Sequence, residues 1–499
     1  MPVAAQVMRH AATHPGRPAV RGPREELTYA ALARRIQRTA ARLATRFPGP
    51  GALAAITLTD PVGQLTAALA IDLLGGTPLL CDPTHLKTLL TTPLGDTPQP
   101  HTPARIDALG DTPRPHAPVS AGALGGMPLL DDAGRGLVGL VIDALPSGAA
   151  GRDVPLHRPT PGDLAWACFS SGSTGRPRAV VRTRGSWTGS FAPLSELTGI
   201  GGGDVVLVPG PLLSSLYGFA AVHALAVGAT VLAPGRWSPG SLPGLLRRAT
   251  AVHLVPHHLP ELLEALPDGA PLRTAVIGGA ALAPGLRERA ATAGVHVVSY
   301  YGATELSFVA VDADGRGLRP FPGVEIEVRT PPGRRLGEVW ARSPWLAEGY
   351  LAGAAGPLLA DGDGWMSVGD VAAPYLPGEV LRLRGRGGGA IQTGGATVVP
   401  EDVEAVFRSV AGVGDIVVVG SPHPDLGAVV TAIVEAAADG PPVRAALEAI
   451  ARGGLDAAQR PRRWYTINAL PRTPSGKPAR DLVAARLADG DDPNLRRLP

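Results

Sequence analysis

At 499 residues the chain is longer than one hydrophobic core organises, so two or more domains are expected. Its net charge of +3, with no basic stripe and no interleaved aromatics, argues against a nucleic-acid partner. Gly 65 and Pro 52 would suit a low-complexity chain, but apolar segments of strand and helix length recur along most of the sequence and speak for a folded protein.

Residues 1–85 alternate helix and strand patterns. A helix opens at Leu27-Thr-Tyr-Ala-Ala-Leu-Ala, and Ala52-Leu-Ala-Ala-Ile-Thr-Leu reads as a strand. Residues 86–150 carry two copies of a degenerate repeat, starting at Leu94 and Leu109, with proline dense enough to predict an irregular connector. From Gly162 to about Ala310, short apolar runs predict strands at 164–169, 205–208, 229–232, 251–255, 274–277 and 295–300. Helices lie between them, as when helices cover both faces of a mostly parallel sheet. Residues 321–384 switch to alternating strands, a small β-rich layer. Past the glycines 385 and 387–389, a smaller α+β segment has a helix from Glu401, a strand at 415–419 and a last helix from Ala479. The fold class is therefore α/β. A large domain spans 1–386, with 86–150 as its connector, and a small α+β domain spans 387–499. Cys81 and Cys168 lie far apart without metal-ligand spacing and suit buried thiols in a reducing compartment. Met1 to His14 lacks a signal-peptide core, and the apolar run Leu65–Leu74 is short and broken by Asp72. The expectation is a cytoplasmic enzyme without membrane contact.

Phe169-Ser-Ser-Gly-Ser-Thr-Gly-Arg-Pro-Arg178 joins two strands with a loop of hydroxyls and glycines able to surround an anion. No lysine follows its last glycine, so it is not the Gly-x4-Gly-Lys-Ser/Thr loop. Of 46 basic residues only Lys87 and Lys477 are lysines. A compact ammonium at 477, within Pro471-Arg-Thr-Pro-Ser-Gly-Lys, suits a site where a planar guanidinium does not substitute freely, with chance placement as the alternative. His257, His258 and Glu261 look like a metal cluster, but only His257 and Glu261 have usable spacing, and two ligands do not make a site.

With the Ser/Thr/Gly loop, five further segments appear in order: Ala275-Val-Ile-Gly-Gly-Ala280, Tyr300-Tyr-Gly-Ala-Thr-Glu305, Asp363-Gly-Trp-Met-Ser-Val-Gly-Asp370, Gly385-Arg386 and Pro474-Ser-Gly-Lys477. In this series the chain resembles the adenylate-forming superfamily of acyl-CoA synthetases and adenylation domains, over roughly 15–85 and 162–485. The resemblance implies ATP-dependent activation of a carboxylic acid to an acyl-adenylate with release of pyrophosphate. Transfer to a thiol follows, that of coenzyme A or of a carrier-protein phosphopantetheine. Alternatives are another nucleophile, or a non-catalytic nucleotide-binding protein of the same fold.

By the same resemblance Lys477, Glu305 and Thr304 are catalytic, with Glu305 holding Mg2+ on the phosphates of ATP. Ser170, Ser171, Gly172, Ser173, Thr174, Gly175 and Arg178 surround phosphate. Gly278, Gly279, Ala280, Tyr301 and Gly302 receive adenine, and Asp370 and Arg386 hold the ribose. Trp187, Ser214, Ser215, Tyr217, Phe219 and Tyr300 line the acyl pocket and suggest a small or aromatic acid. Three departures stand out: Gly388 at the usual hinge position, Ser215 where relatives carry His or Asp, and the proline-rich stretch. Serine cannot pair with an ammonium, which disfavours ordinary α-amino acids.

Overall fold

The computed structural model describes residues 2–47, 49–82, 140–145, 158–170, 178–283, 285–332, 336–351, 357–386, 389, 391–393, 396–424, 426–438, 440–473, 476–490 and 494–498. Strand–helix alternation produces two sheets side by side. The larger has nine strands, and its centre is parallel: Thr274–Gly278 lies between Ala251–Leu254 and His296–Ala303. Ser307–Asp312 then adds antiparallel to His296–Ala303, so the turn between them sits at the sheet's carboxyl edge. The helix Ser215–Val227 is buried over most of its length, as its nearly all-apolar sequence requires.

The second sheet has six strands. Leu164–Ser170 and Arg178–Thr183 pair antiparallel with Ser170 opposite Arg178, which brings both ends of the Ser/Thr/Gly segment together. The segment itself, 171–177, lies outside the described residues. An isolated bridge from Phe169 to Ser214 ties this sheet to the start of the Ser215–Val227 helix. Asp72, which interrupts the apolar run of its helix, is buried and pairs with buried Arg184 at 2.5 Å; it also accepts from the Ala4 amide at 2.9 Å.

One expectation is corrected. The 86–150 stretch is not irregular throughout, because Leu140–Ile142 forms a strand parallel to Leu53–Ile56. The Leu-Val-Ile run is apolar and free of proline, so local strand propensity prevails there. The rest of that stretch lies outside the described residues.

The β-rich layer is a six-stranded sheet spanning residues 325–386, and it presents Asp370 at the start of Asp370–Ala372. Hydrophobic packing divides between Leu383 and Ile391. Two clusters, centred on Phe407 with Trp464 and on Ile433, draw only on residues from Ile391 onward, and the other three only on residues before that point. Among the described residues no helix is long and apolar enough to cross a membrane.

Candidate active site

The predicted residues converge where strand ends of both sheets meet. Gly278 ends its strand opposite Tyr300, and the Tyr300 ring lies over it. A Cβ built on Gly278 would fall 2.1 Å from that ring, so only glycine admits this packing. Tyr217 covers Gly210 in the same way, with 2.0 Å to its ring. Beyond Tyr301 a bulge shifts the register, and Gly302 meets the Ser307 carbonyl so closely that a Cβ would lie 2.1 Å from its oxygen. Ser307 holds a positive φ of 62°, and the tight turn it closes presents Thr304 and Glu305.

Glu305 is buried, and Tyr350 donates to its Oε1 at 2.8 Å. Arg182, also buried, lies behind it and donates to the carbonyls of Thr304, at 2.6 Å, and of Trp345. Burial pulls the Arg182 guanidinium down to about 10, while Cys168 and the Glu305 carboxylate act the other way. Burial, with the Glu305 charge beside it, pushes the Tyr350 hydroxyl well above its ordinary range, which keeps it a donor. The sequence reading missed both residues. The available signal was an arginine ending the apolar run Ala179-Val-Val-Arg182.

Thr304 Oγ1 and Ser215 Oγ lie 2.8 Å apart, so the first residue of the Ser215–Val227 helix is tied to the turn. Tyr301 donates to Asp370 Oδ2 at 2.8 Å, which brings the expected adenine and ribose residues into contact. Asp370 sits opposite Arg386 in the strand register. Arg178 stands 6.0 Å above the Tyr350 ring. Ala280 follows Gly279 at the rim. The side chains of Ser170 and Arg386, and residues Ser171, Gly172, Ser173, Thr174, Gly175 and Gly388, lie outside what is described.

The expected pocket aromatics differ in what they pack against. Trp187 is 3% exposed and stacks on Trp166 at 5.9 Å, and Phe219, 8% exposed, packs edge-on to Trp187 at 5.3 Å. Both rings pack against other aromatics, where large rings gain most from burial. Tyr217 and Tyr300 are the rings that meet the strand ends.

Lys477 arrives from the other core. A Cβ on Gly279 would fall 2.6 Å from Lys477 Cε and 3.3 Å from Nζ, and Gly279 has φ +94°, so the lysine lies across a glycine that nothing larger could replace. Its loop closes on itself, with Thr473 N donating to the Lys477 carbonyl at 2.7 Å and Ala479 N to the Pro471 carbonyl at 2.7 Å. Arg472 anchors the loop on Asp415 at 2.9 Å and Glu435 at 3.2 Å.

His257 and His258 face this loop. Among the described residues no group of three His, Cys, Asp or Glu could hold a metal. His258 stacks on Trp237 at 4.0 Å, and Trp237 donates to Glu261 at 2.6 Å. A Cβ on Gly476 would meet His258 Nε2 at 3.5 Å. Burial, then His257, then Arg472 hold His258 down at about 4, and burial followed by Arg472 lowers His257.

Comparison with known proteins agrees with this assembly. Residues 7–351 match the family described as AMP-binding enzyme, and residues 402–477 match the AMP-binding enzyme C-terminal domain. The chain is 32% identical over 348 residues to the uncharacterized acyl-CoA ligase YhfT of Bacillus subtilis, covering 66% of this chain and 70% of that protein. It is similar to the amide bond synthetase McbA of Marinactinospora thermotolerans, with 27% identity, a TM-score of 0.75, and 98% of this chain and 100% of that one covered. It shares its fold with o-succinylbenzoate coenzyme A synthetase, MenE, of Bacillus subtilis in complex with ATP and magnesium, at 23% identity and TM-score 0.74, covering 96% of this chain and 99% of that one. The chain thus belongs to the AMP-binding enzymes, in its large and small domains alike, and it is an AMP-forming acid ligase.

Proposed function

We propose that this chain uses ATP to convert a small or aromatic carboxylic acid to its acyl-adenylate and then passes the acyl group to the thiol of coenzyme A. The observation that carries this reading is Lys477 lying over Gly279, at the same mouth as Thr304 and Glu305. A carboxylate oxygen attacks the α-phosphorus, the bond to the bridging oxygen breaks, and pyrophosphate leaves. Charge grows on the phosphoryl oxygens in that step. A positioned ammonium and hydroxyl donors stabilise it, each by roughly 3–4 kcal/mol in sites of this kind. The thiol sulfur then adds to the acyl carbonyl and AMP departs with the electron pair.

Glu305 offers one hard carboxylate, which suits Mg2+ because that ion keeps waters and substrate phosphates as its other ligands. When bound, Mg2+ would neutralise phosphate charge. Thr304 and the loop from Ser170 to Gly175 would donate to phosphate oxygens, with Arg178 beside them. Tyr301 and Gly278–Ala280 would take adenine, and Asp370 with Arg386 would take ribose. Residues 387–499 would form a small domain pivoting near Gly388, since Lys477 is needed only while the adenylate forms. The cytoplasm, where coenzyme A and ATP coexist, is the proposed location.

Acid-dependent pyrophosphate release over a carboxylate panel, with and without coenzyme A, tests the reading. Release stimulated by coenzyme A, with a thioester product, is expected; silence over the whole panel would sink it. The likeness to an amide bond synthetase favours an amine acceptor as the second reading. It would be revealed by amide product when amines are added and no stimulation by coenzyme A. A carrier-protein pantetheine would replace coenzyme A in the same assay.

A further inference from the structure

Arg182 and Tyr350 both hold the Glu305 turn, but they hold different parts of it. Arg182 donates to the carbonyls of Thr304 and Trp345, so it fixes the backbone. Neither bond reaches the Glu305 carboxylate. A glutamate carboxylate turns about a torsion with broad, shallow wells, so fixing the backbone does not by itself set where the two oxygens point. Tyr350 acts on the carboxylate directly, donating to Glu305 Oε1 at 2.8 Å.

The Tyr350 hydroxyl is itself fixed. The Leu358 backbone N–H donates to it, and a phenol has a single proton, which is left to point at the carboxylate. Tyr350 is buried in the short strand Gly349–Tyr350, which pairs antiparallel with Arg178–Thr183 and sets Tyr350 opposite Val180. Arg178, which opens that strand where the Ser/Thr/Gly segment ends, stands over the Tyr350 ring. One side chain therefore joins the expected metal carboxylate to the strand that closes the expected phosphate loop. With Oε1 engaged by Tyr350, Oε2 is the oxygen left to turn towards a phosphate-bound cation.

We propose that Tyr350 is a positioning residue for the metal. It holds Glu305 as a one-oxygen ligand, with Oε2 aimed at the Mg2+ that ATP carries. Mg2+ demands near-octahedral geometry, keeps several waters and takes few protein ligands, so a single carboxylate has to be aimed well. Hydrogen bonds to a ligating carboxylate do that aiming, and losing one typically lowers metal affinity by about 10- to 100-fold. This inference rests on Glu305 as the Mg2+ ligand in the reading above. It deepens that reading by naming the residue that sets how tightly the metal is held.

The test is calorimetric binding of ATP, with Mg2+ and with EDTA and without any acid, to the wild type and to Tyr350→Phe. The Phe variant keeps the ring under Arg178 and removes the hydroxyl. The wild type should bind ATP more tightly with Mg2+ than without it. The variant should lose about tenfold of that gain while its metal-free affinity for ATP stays within roughly twofold of the wild type. In the pyrophosphate assay the Mg2+ concentration giving half the maximal rate should rise about tenfold, and excess Mg2+ should restore most of the rate. Equal losses with and without Mg2+ would reduce the hydroxyl to a packing role and overturn the proposal. An unchanged Mg2+ dependence in the variant, or a wild type indifferent to Mg2+, overturns it as well. Where the Phe variant does not fold by circular dichroism, Tyr350→Met replaces it, filling the space without a hydroxyl. If no acid releases pyrophosphate, the ligase reading fails by itself, and the calorimetry still decides the role of Tyr350. Absence of ATP binding in both conditions overturns the two together.

Discussion

Glu305 and Lys477 reach one mouth by opposite means. Glu305 is fixed from behind, since Tyr350 donates to it and buried Arg182 holds the turn through the Thr304 and Trp345 carbonyls. Lys477 belongs to a loop closed by its own amides and anchored by Arg472 on Asp415 and Glu435, all within the second core. Its contact with the first core is a stem laid over Gly279, with Gly476 against Val255 and His258. The carboxylate is therefore built into the stability of the first core, while the lysine is preassembled on a separately packed region, which the proposed pivoting would move. A group needed in one half-reaction is best carried on such a region.

Lys477→Ala separates the two most sharply. Acid-dependent pyrophosphate release should fall about 100- to 1,000-fold, the range for losing one charge-stabilising group. Thioester formation from chemically prepared acyl-adenylate should persist, and an equal loss in both steps would contradict the division. The same substitution should cost no more than about 1 kcal/mol in urea unfolding, because the half-buried side chain leaves the loop's own amide bonds in place. Arg182→Met should do the reverse to stability, costing roughly 3–5 kcal/mol by removing a buried charge from beside Glu305. Urea unfolding measures it, and a neutral result would mean that Glu305 is not held from behind.

Gly279→Ala should lower adenylation about tenfold through displacement of the lysine stem and strain at positive φ, with ATP binding retained. In the Lys477→Ala background it should add little, because the two changes act on one contact; additive losses would place Gly279 elsewhere in the mechanism.

The smallest effect concerns pH. His258, and with it His257, has its pKa lowered where the lysine loop docks. A histidine whose pKa is depressed in the docked form favours docking fully above its ordinary value near 6.5. That contribution is lost as pH falls from there towards about 4, the docked value of His258. Pyrophosphate release should thus decline a few-fold between pH 7 and pH 5, and His258→Phe should flatten that decline. An unchanged slope in the variant would remove His258 from the docking surface.

Periodicity and motif order made much of this protein legible in advance. Apolar runs located the strands of the large sheet to within a residue or two at most ends, and the glycines at 278, 279 and 302 stand where a ring, the lysine stem and a backbone carbonyl respectively exclude a Cβ. Lys477 stood out because it is one of two lysines in the chain, and Glu305 because it ends Tyr300-Tyr-Gly-Ala-Thr. These features are local, and local sterics and hydrophobic pattern act on neighbours in sequence.

What surrounds them was decided only in three dimensions. Nothing in Arg182 or Tyr350 alone predicts that they meet Glu305 from two strands of another sheet. That Trp187 stacks on Trp166 and meets Phe219 edge-on follows from packing between distant segments. His257 and His258 carried no assigned role in the sequence, and only the fold shows that they meet the lysine loop. The sequence determines which segments form and where the chain must turn. Which charges and rings meet is a matter of pairing between distant segments, and burial then sets whether each group is charged, neutral or merely packed.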